Sequence, residues 1–215
     1  MGNEDKPNRL VVTRLLDLAR GGATAAELSE VHRTDPVLCY ALLAELGTGA
    51  GVPTKYVTTC RQALELIGVP AAIEWLEAAM EHAVEFRQFS EQMRNTLIRA
   101  RFMELMGRST FSREDTEDLF LVGLFSRLNR LLKMPLSELI LPLPFPEEMQ
   151  AAILEQRGRI GRLLKFTQAI ESGDESGMGF MQTNMRLPAV QVYDAYNEAY
   201  DWTVDVESKS TTGGA

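Results

Sequence analysis

Histidine is nearly absent from this chain of 215 residues: only His32 and His82 occur. The residues that follow them are Arg33 and Ala83, never Asp. A hydrolase built on His-Asp pairs needs imidazoles and carboxylates around divalent ions that activate water and neutralise phosphate charge. Carboxylates alone usually recruit substrate phosphates to complete a Mg²⁺ site. Such chemistry is therefore not expected, and both imidazoles read as residues near helix ends, where a cation suits the dipole. Cysteine is equally scarce. Cys39 and Cys60 form neither a disulfide framework nor a CxxC site; each falls on an apolar helical stripe and reads as a small hydrophobe. Gly47 to Gly51 lacks the Lys-Ser/Thr end of a phosphate loop, so it reads as a turn. No GxSxG elbow is present. No apolar run approaches the roughly 18 residues that span a bilayer. The polar, acid-bearing start MGNEDKPNRL resembles no signal peptide, and Lys6 breaks the Met-Gly acylation pattern. The expected location is the cytoplasm.

What the chain does contain is one helical pattern after another. Val11, Val12, Leu15, Leu18 and Ala19 define an opening helix near 8–20, stopped by Gly21-Gly22. Thr24 and Glu27 form a capping box for a second. Asp35-Pro36 supplies the cap and first position of a third, running to about Leu46. Cys60, Ala63, Leu64 and Ile67 give a one-faced helix closed by Gly68, and Pro70 opens the next. A long helix is expected over 87–107, with Leu97, Ile98, Phe102, Leu105 and Met106 inward. The helix carrying Leu121 and Phe125 is expected to continue to Leu132. Pro135, Pro142, Pro144 and Pro146 then force short elements and tight connections. Ile160–Ile170 is helical, and the last helix starts near Pro188, with Ala189, Tyr193, Tyr196, Tyr200 and Val204 on one face. No strand or repeat is evident, so the expected class is all-α. The expected domain spans 8–205, with lobes near 8–84 and 85–205, and a disordered tail over 206–215.

The net charge of −8 is unevenly spread. Residues 87–133 hold nine Lys/Arg against six Asp/Glu, whereas residues 171–207 hold Arg186 against eight acids. Separated zones on an acidic chain argue against general nucleic-acid binding. They leave docking of a charged protein through one zone. Arg94, Arg101 and Arg108 are spaced by seven and share a helix face; they are either a solvated face or a docking site, since guanidinium forks suit carboxylate and phosphate. Arg157, Arg159, Arg162 and Lys165 form a second basic group. The acids Glu114, Asp115, Glu117 and Asp118 suit the first turn of a helix. Gly177-Met178-Gly179-Phe180-Met181 reads as a flexible, Met-rich segment. Met178, Phe180 and Met181 are either core filler or an adaptable interaction element.

Two blocks, AAELSEVHRTDPVLCYALL with TTCRQALELIGVPAAIEWL (25–43 and 58–76), and FLVGLFSRLNRLLKMPLSELILPLPFPEEMQAAILEQRGRIGRLL (120–164), resemble the HD-related output domain, HDOD. The likeness covers about residues 10–204 and is strongest to the version found downstream of EAL domains in bacterial cyclic-di-GMP signalling. The chain is expected to be a stand-alone copy. Where the family often has an Asn-Ser-rich turn, this chain reads Leu46-Gly47-Thr48-Gly49. The resemblance implies a two-lobed bundle, the second lobe related to the HD phosphohydrolase fold. It also implies a regulatory role by protein binding, to a sensor kinase, response regulator or cyclic-dinucleotide enzyme. The expectation is accordingly no enzyme, no catalytic or metal residue and no cofactor. A small-ligand (nucleotide) sensor and a divergent metal phosphohydrolase are the alternatives.

Overall fold

A computed structural model describes residues 5–48, 56–85, 89–108, 111–185 and 187–211. Within them the protein is all-α, the sole β feature being an isolated bridge between Asn8 and Val84. No described helix is long and apolar enough to cross a membrane.

The first four helices pack on one another. Asn8 caps α1 (Arg9–Arg20) by accepting from the Leu10 amide. Thr24 and Glu27 complete both halves of the capping box of α2 (Ala25–His32). Asp35 begins α3 (Pro36–Thr48), where its Oδ1 accepts from the amides of Val37 and Leu38. Its Oδ2 accepts from Asn8 N at 2.9 Å, tying α1 to α3. The fourth helix, α4 (Cys60–His82), turns sharply at Gly68, whose φ of 77° is left-handed and costly for any side chain.

α5 (Glu91–Gly107) is the axis of the remainder. It starts at Ser90, which accepts from Met93 N, four residues later than the pattern suggested. α6 (Arg113–Phe125) lies along it so closely that a Cβ on Gly123 would sit 2.7 Å from Ala100 Cα. The apolar pattern after Phe125 does not continue one helix. The chain breaks at Ser126-Arg127 and restarts as α7 (Leu128–Leu132). The proline-rich stretch gives α8 (Leu136–Ile140) and α9 (Glu147–Glu155), then α10 (Gly158–Ser172) follows. α11 (Glu175–Met185) is a helix where the sequence suggested a flexible segment. α12 (Ala189–Thr211) packs on α5. It runs past the expected start of a disordered tail, and Asn8 Nδ2 donates to Ser210 O at 3.2 Å.

Two expectations need correction. His32 is not near a solvent-exposed end but fully buried, stacked on Trp75 at 5.8 Å. Neither of its nitrogens has a hydrogen-bond partner among the described residues. Burial pushes its pKa down to about 4, against weaker opposing pulls from the Leu28 carbonyl and Asp35. Cys39 and Cys60 are not free hydrophobes; they form a disulfide between α3 and the first residue of α4, with Cα atoms 6.4 Å apart. Their burial was legible, but the convergence of two apolar stripes was not. Stable disulfides are uncommon in a reducing cytoplasm, which sets this pair against the location expected from sequence.

Candidate interaction surface

Arg94 and Arg101 of α5 and Arg108 at its end share one face, which α12 covers at the first two. Arg94 grips Glu207 of α12 as a fork, with Nη2 2.6 Å from Oε1 and Nε 3.1 Å from Oε2. The hydrogen bonds that Arg94 donates to Glu207 hold the guanidinium above its ordinary pKa. Arg101 reaches Glu104 Oε2 at 2.6 Å and Glu198 Oε1 at 2.9 Å. Arg108 stands 3.7 Å from the same Glu198 oxygen. The basic and acidic zones read along the sequence thus meet each other across the α5–α12 contact. Arg94 and Arg101 are engaged within the chain, while Arg108 stays half-exposed. Of the Met-rich trio, Met178 is half-buried on α11. The side chains of Phe180 and Met181 lie outside the described set.

A second ionic joint links the first helices to the later ones. Arg33, at the end of α2, lies over the Phe120 ring at 3.8 Å and reaches Glu104 Oε2 at 2.7 Å. Trp202 meets Phe120 edge-on. Glu104 therefore neutralises two arginines, Arg33 and Arg101, in a site where its own side chain is only 8 % exposed. The adjoining cleft, lined by Ser29, Arg33, Thr59, Cys60, Phe120 and Leu121, holds about 30 Å³. That is room for a water or two, not for a nucleotide.

The unpartnered feature is the outside of α12. Its packing face consists of small residues, Ala195, Ala199, Thr203, Val206 and Ser210, which let it approach α5 closely. Val190, Tyr193, Tyr200 and Val204 lie on the outer side, whereas Tyr196 turns edge-on to Phe102 of α5 at 6.0 Å and Trp202 edge-on to Phe120. Val190, Tyr193, Tyr196, Tyr200 and Val204 are exposed, from 37 % at Tyr196 to 68 % at Tyr193. Val190, Tyr193, Asn197, Tyr200 and Val204 follow alternating three- and four-residue steps, which place them in one stripe. Exposed acids border it: Asp194, Glu198, Asp201 and Asp205. The sequence grouped Tyr193, Tyr200 and Val204 correctly but put Tyr196 with them, which instead meets Phe102 of α5; which face the others occupy depended on the small-residue stripe behind them.

No family model matches the chain. It is similar to the cyclic di-GMP phosphodiesterase CdgJ of Vibrio cholerae, 27 % identical over 172 residues, covering 80 % of this chain and 40 % of that protein. It is similar also to the uncharacterized protein YuxH of Bacillus subtilis, at 24 % identity, covering 87 % of this chain and 46 % of that one. The chain thus spans less than half the length of either relative. A crystal structure of a fragment of the MmoQ response regulator of Methylococcus capsulatus shares the fold, with a TM-score of 0.60 at 16 % identity, covering 93 % of this chain and 92 % of that one. The expectation that the chain is no enzyme is overturned by the first of these likenesses, since that relative is named as an enzyme. The sequence argument had excluded only His-Asp metal chemistry and familiar nucleophiles, which is narrower than excluding catalysis.

Proposed function

We propose that this chain is an HDOD-type signal-transduction module that binds another protein through the outer face of α12, in two-component or cyclic-di-GMP signalling. The likeness to CdgJ and the fold shared with MmoQ support the signalling setting. The observation that carries the binding mode is the exposed Val190-Tyr193-Tyr200-Val204 stripe, mounted on a helix whose opposite face is locked against α5. Tyrosine is enriched at interfaces because a large, stiff ring buries area at small entropic cost. The bordering acids select the partner by sign. The occupant is a basic amphipathic segment, its apolar residues on the tyrosines and its Lys or Arg on Asp194 and Asp201. A second copy is disfavoured, because it would lay two acid-rich helices against one another.

The test is Tyr193→Ser combined with Tyr200→Ser, introduced at the native locus. Both side chains are exposed, so the purified variant should melt within about 1 °C of the parent. It should nevertheless behave in cells like a deletion of the gene. A variant that accumulates normally and signals like the parent would overturn the reading.

A further inference from the structure

Away from α12, two arginines converge on one carboxylate. Arg99 of α5 donates from Nε to Glu171 Oε1 at 2.7 Å, from Nη2 to Glu171 Oε2, and from Nη1 to Ser126 Oγ at 3.0 Å. Arg127, in the break between α6 and α7, donates from Nη1 to the same Glu171 Oε2 at 3.3 Å and from Nη2 to Gln92 Oε1 at 3.2 Å. Every donor group of Arg99 is thus engaged. Arg127 Nε is buried and has no hydrogen-bond partner among the described residues. Arg130 adds a third cation near enough to act on Arg127.

Two guanidinium groups on a single carboxylate leave a surplus of positive charge where solvation is poor. The Arg99 side chain is 6 % exposed and that of Arg127 18 %. Burial and the repulsion of Arg99 and Arg130 lower the Arg127 pKa, while Glu171 only partly offsets them. Buried charges are normally matched, since an unmatched one costs several kcal/mol. The cluster is built as well as charged: α5, α10 and the break between α6 and α7 fix it, and Ser126 is held by its own bond to Gly123 O at 2.8 Å. Glu171 remains partly exposed, so the cluster opens to solvent on that side.

We infer that this cluster is an anion site that takes the phosphate group of a small phosphorylated molecule, gripped by the free Nε edge of Arg127. A tetrahedral phosphate matches a guanidinium fork and supplies the acceptors that Glu171 does not. Arg99 stays on Glu171 and serves as the positioning residue. The site lies apart from the α12 stripe and does not depend on it.

The test is thermal unfolding of the full chain in inorganic phosphate against chloride at matched ionic strength, repeated with a nucleoside monophosphate. A saturable rise in Tm is expected, about 3–6 °C at tenfold excess over Kd. Arg127→Lys keeps the charge but loses the fork, and should abolish the saturable part. Arg130→Gln, which removes the neighbouring exposed cation, should weaken binding several-fold relative to that variant's own phosphate-free Tm. A response to the monophosphate but not to inorganic phosphate would assign the site to an organic phosphate. The absence of a saturable shift with both ligands would overturn the inference. So would an equal shift in Arg127→Lys.

Discussion

Reducing the Cys39–Cys60 disulfide changes one bond and no side chain's identity, so its effect on stability can be worked out from chain topology. The cysteines are 21 residues apart. Closing a loop of about that length removes denatured-state entropy worth about 3 kcal/mol at 25 °C. For a chain of this size 1 kcal/mol moves Tm by about 2–4 °C, so reduction should lower it by about 6–12 °C. Both cysteines are buried, Cys39 completely, so reductant must act during transient opening and equilibration must be shown. The assay is calorimetry of oxidised and reduced protein, with alkylation and mass spectrometry confirming two thiols after reduction. Cys39→Ala with Cys60→Ala should show no response to reductant. An unchanged Tm after verified reduction would refute the reasoning. Two free thiols in protein purified without reductant would refute the bond itself.

Other expectations follow from the buried polar groups and the tightest contact. Glu104→Gln leaves Arg33 and Arg101 short of a counter-charge in a buried joint, and should cost about 3–5 kcal/mol in urea unfolding; a loss below about 1 kcal/mol would show that the joint is solvated. His32 has a folded pKa of about 4, below its ordinary 6.5. Above pH 6.5 both states are neutral there. As pH falls toward 4 only the unfolded chain gains the proton, so stability drops by about 3 kcal/mol across that window. His32→Phe should flatten this part of the stability–pH curve, and an identical slope would place the titration elsewhere. Gly123→Ala puts a methyl against the α5 backbone and should cost about 1–3 kcal/mol by overpacking; a neutral result would mean α6 can slide.

Much of the helical framework was legible because its signals are local. The Thr24–Glu27 box, the Asp35-Pro36 start and the glycine and proline stops all act within one turn. The heptad spacing of Arg94, Arg101 and Arg108 also placed them on one face correctly. What they touch was not legible, because Glu198 and Glu207 arrive from about a hundred residues away. Shorter separations were enough to hide the disulfide, 21 residues across, and to hide Trp75 as the partner that makes His32 a core residue. On α12 hydrophobicity drew attention to the tyrosines, whereas packing was decided by Ala195, Ala199 and Thr203, whose small size carries little hydropathy signal. The Arg99–Arg127–Glu171 cluster left no motif at all, since its members lie on two helices and in a loop.

The most direct test of the α12 reading is a photo-crosslinking residue placed at exposed Asn197, within the tyrosine stripe, with exposed Leu66 on α4 as the control position. Irradiation of native cells followed by sequencing of the joined peptides identifies what lies on each face. The account predicts a discrete adduct from position 197 alone, formed with a basic, amphipathic segment of a signalling protein. The adduct should disappear with Tyr193→Ser and Tyr200→Ser. An adduct with a second copy of this chain, or equal capture from positions 197 and 66, would contradict it.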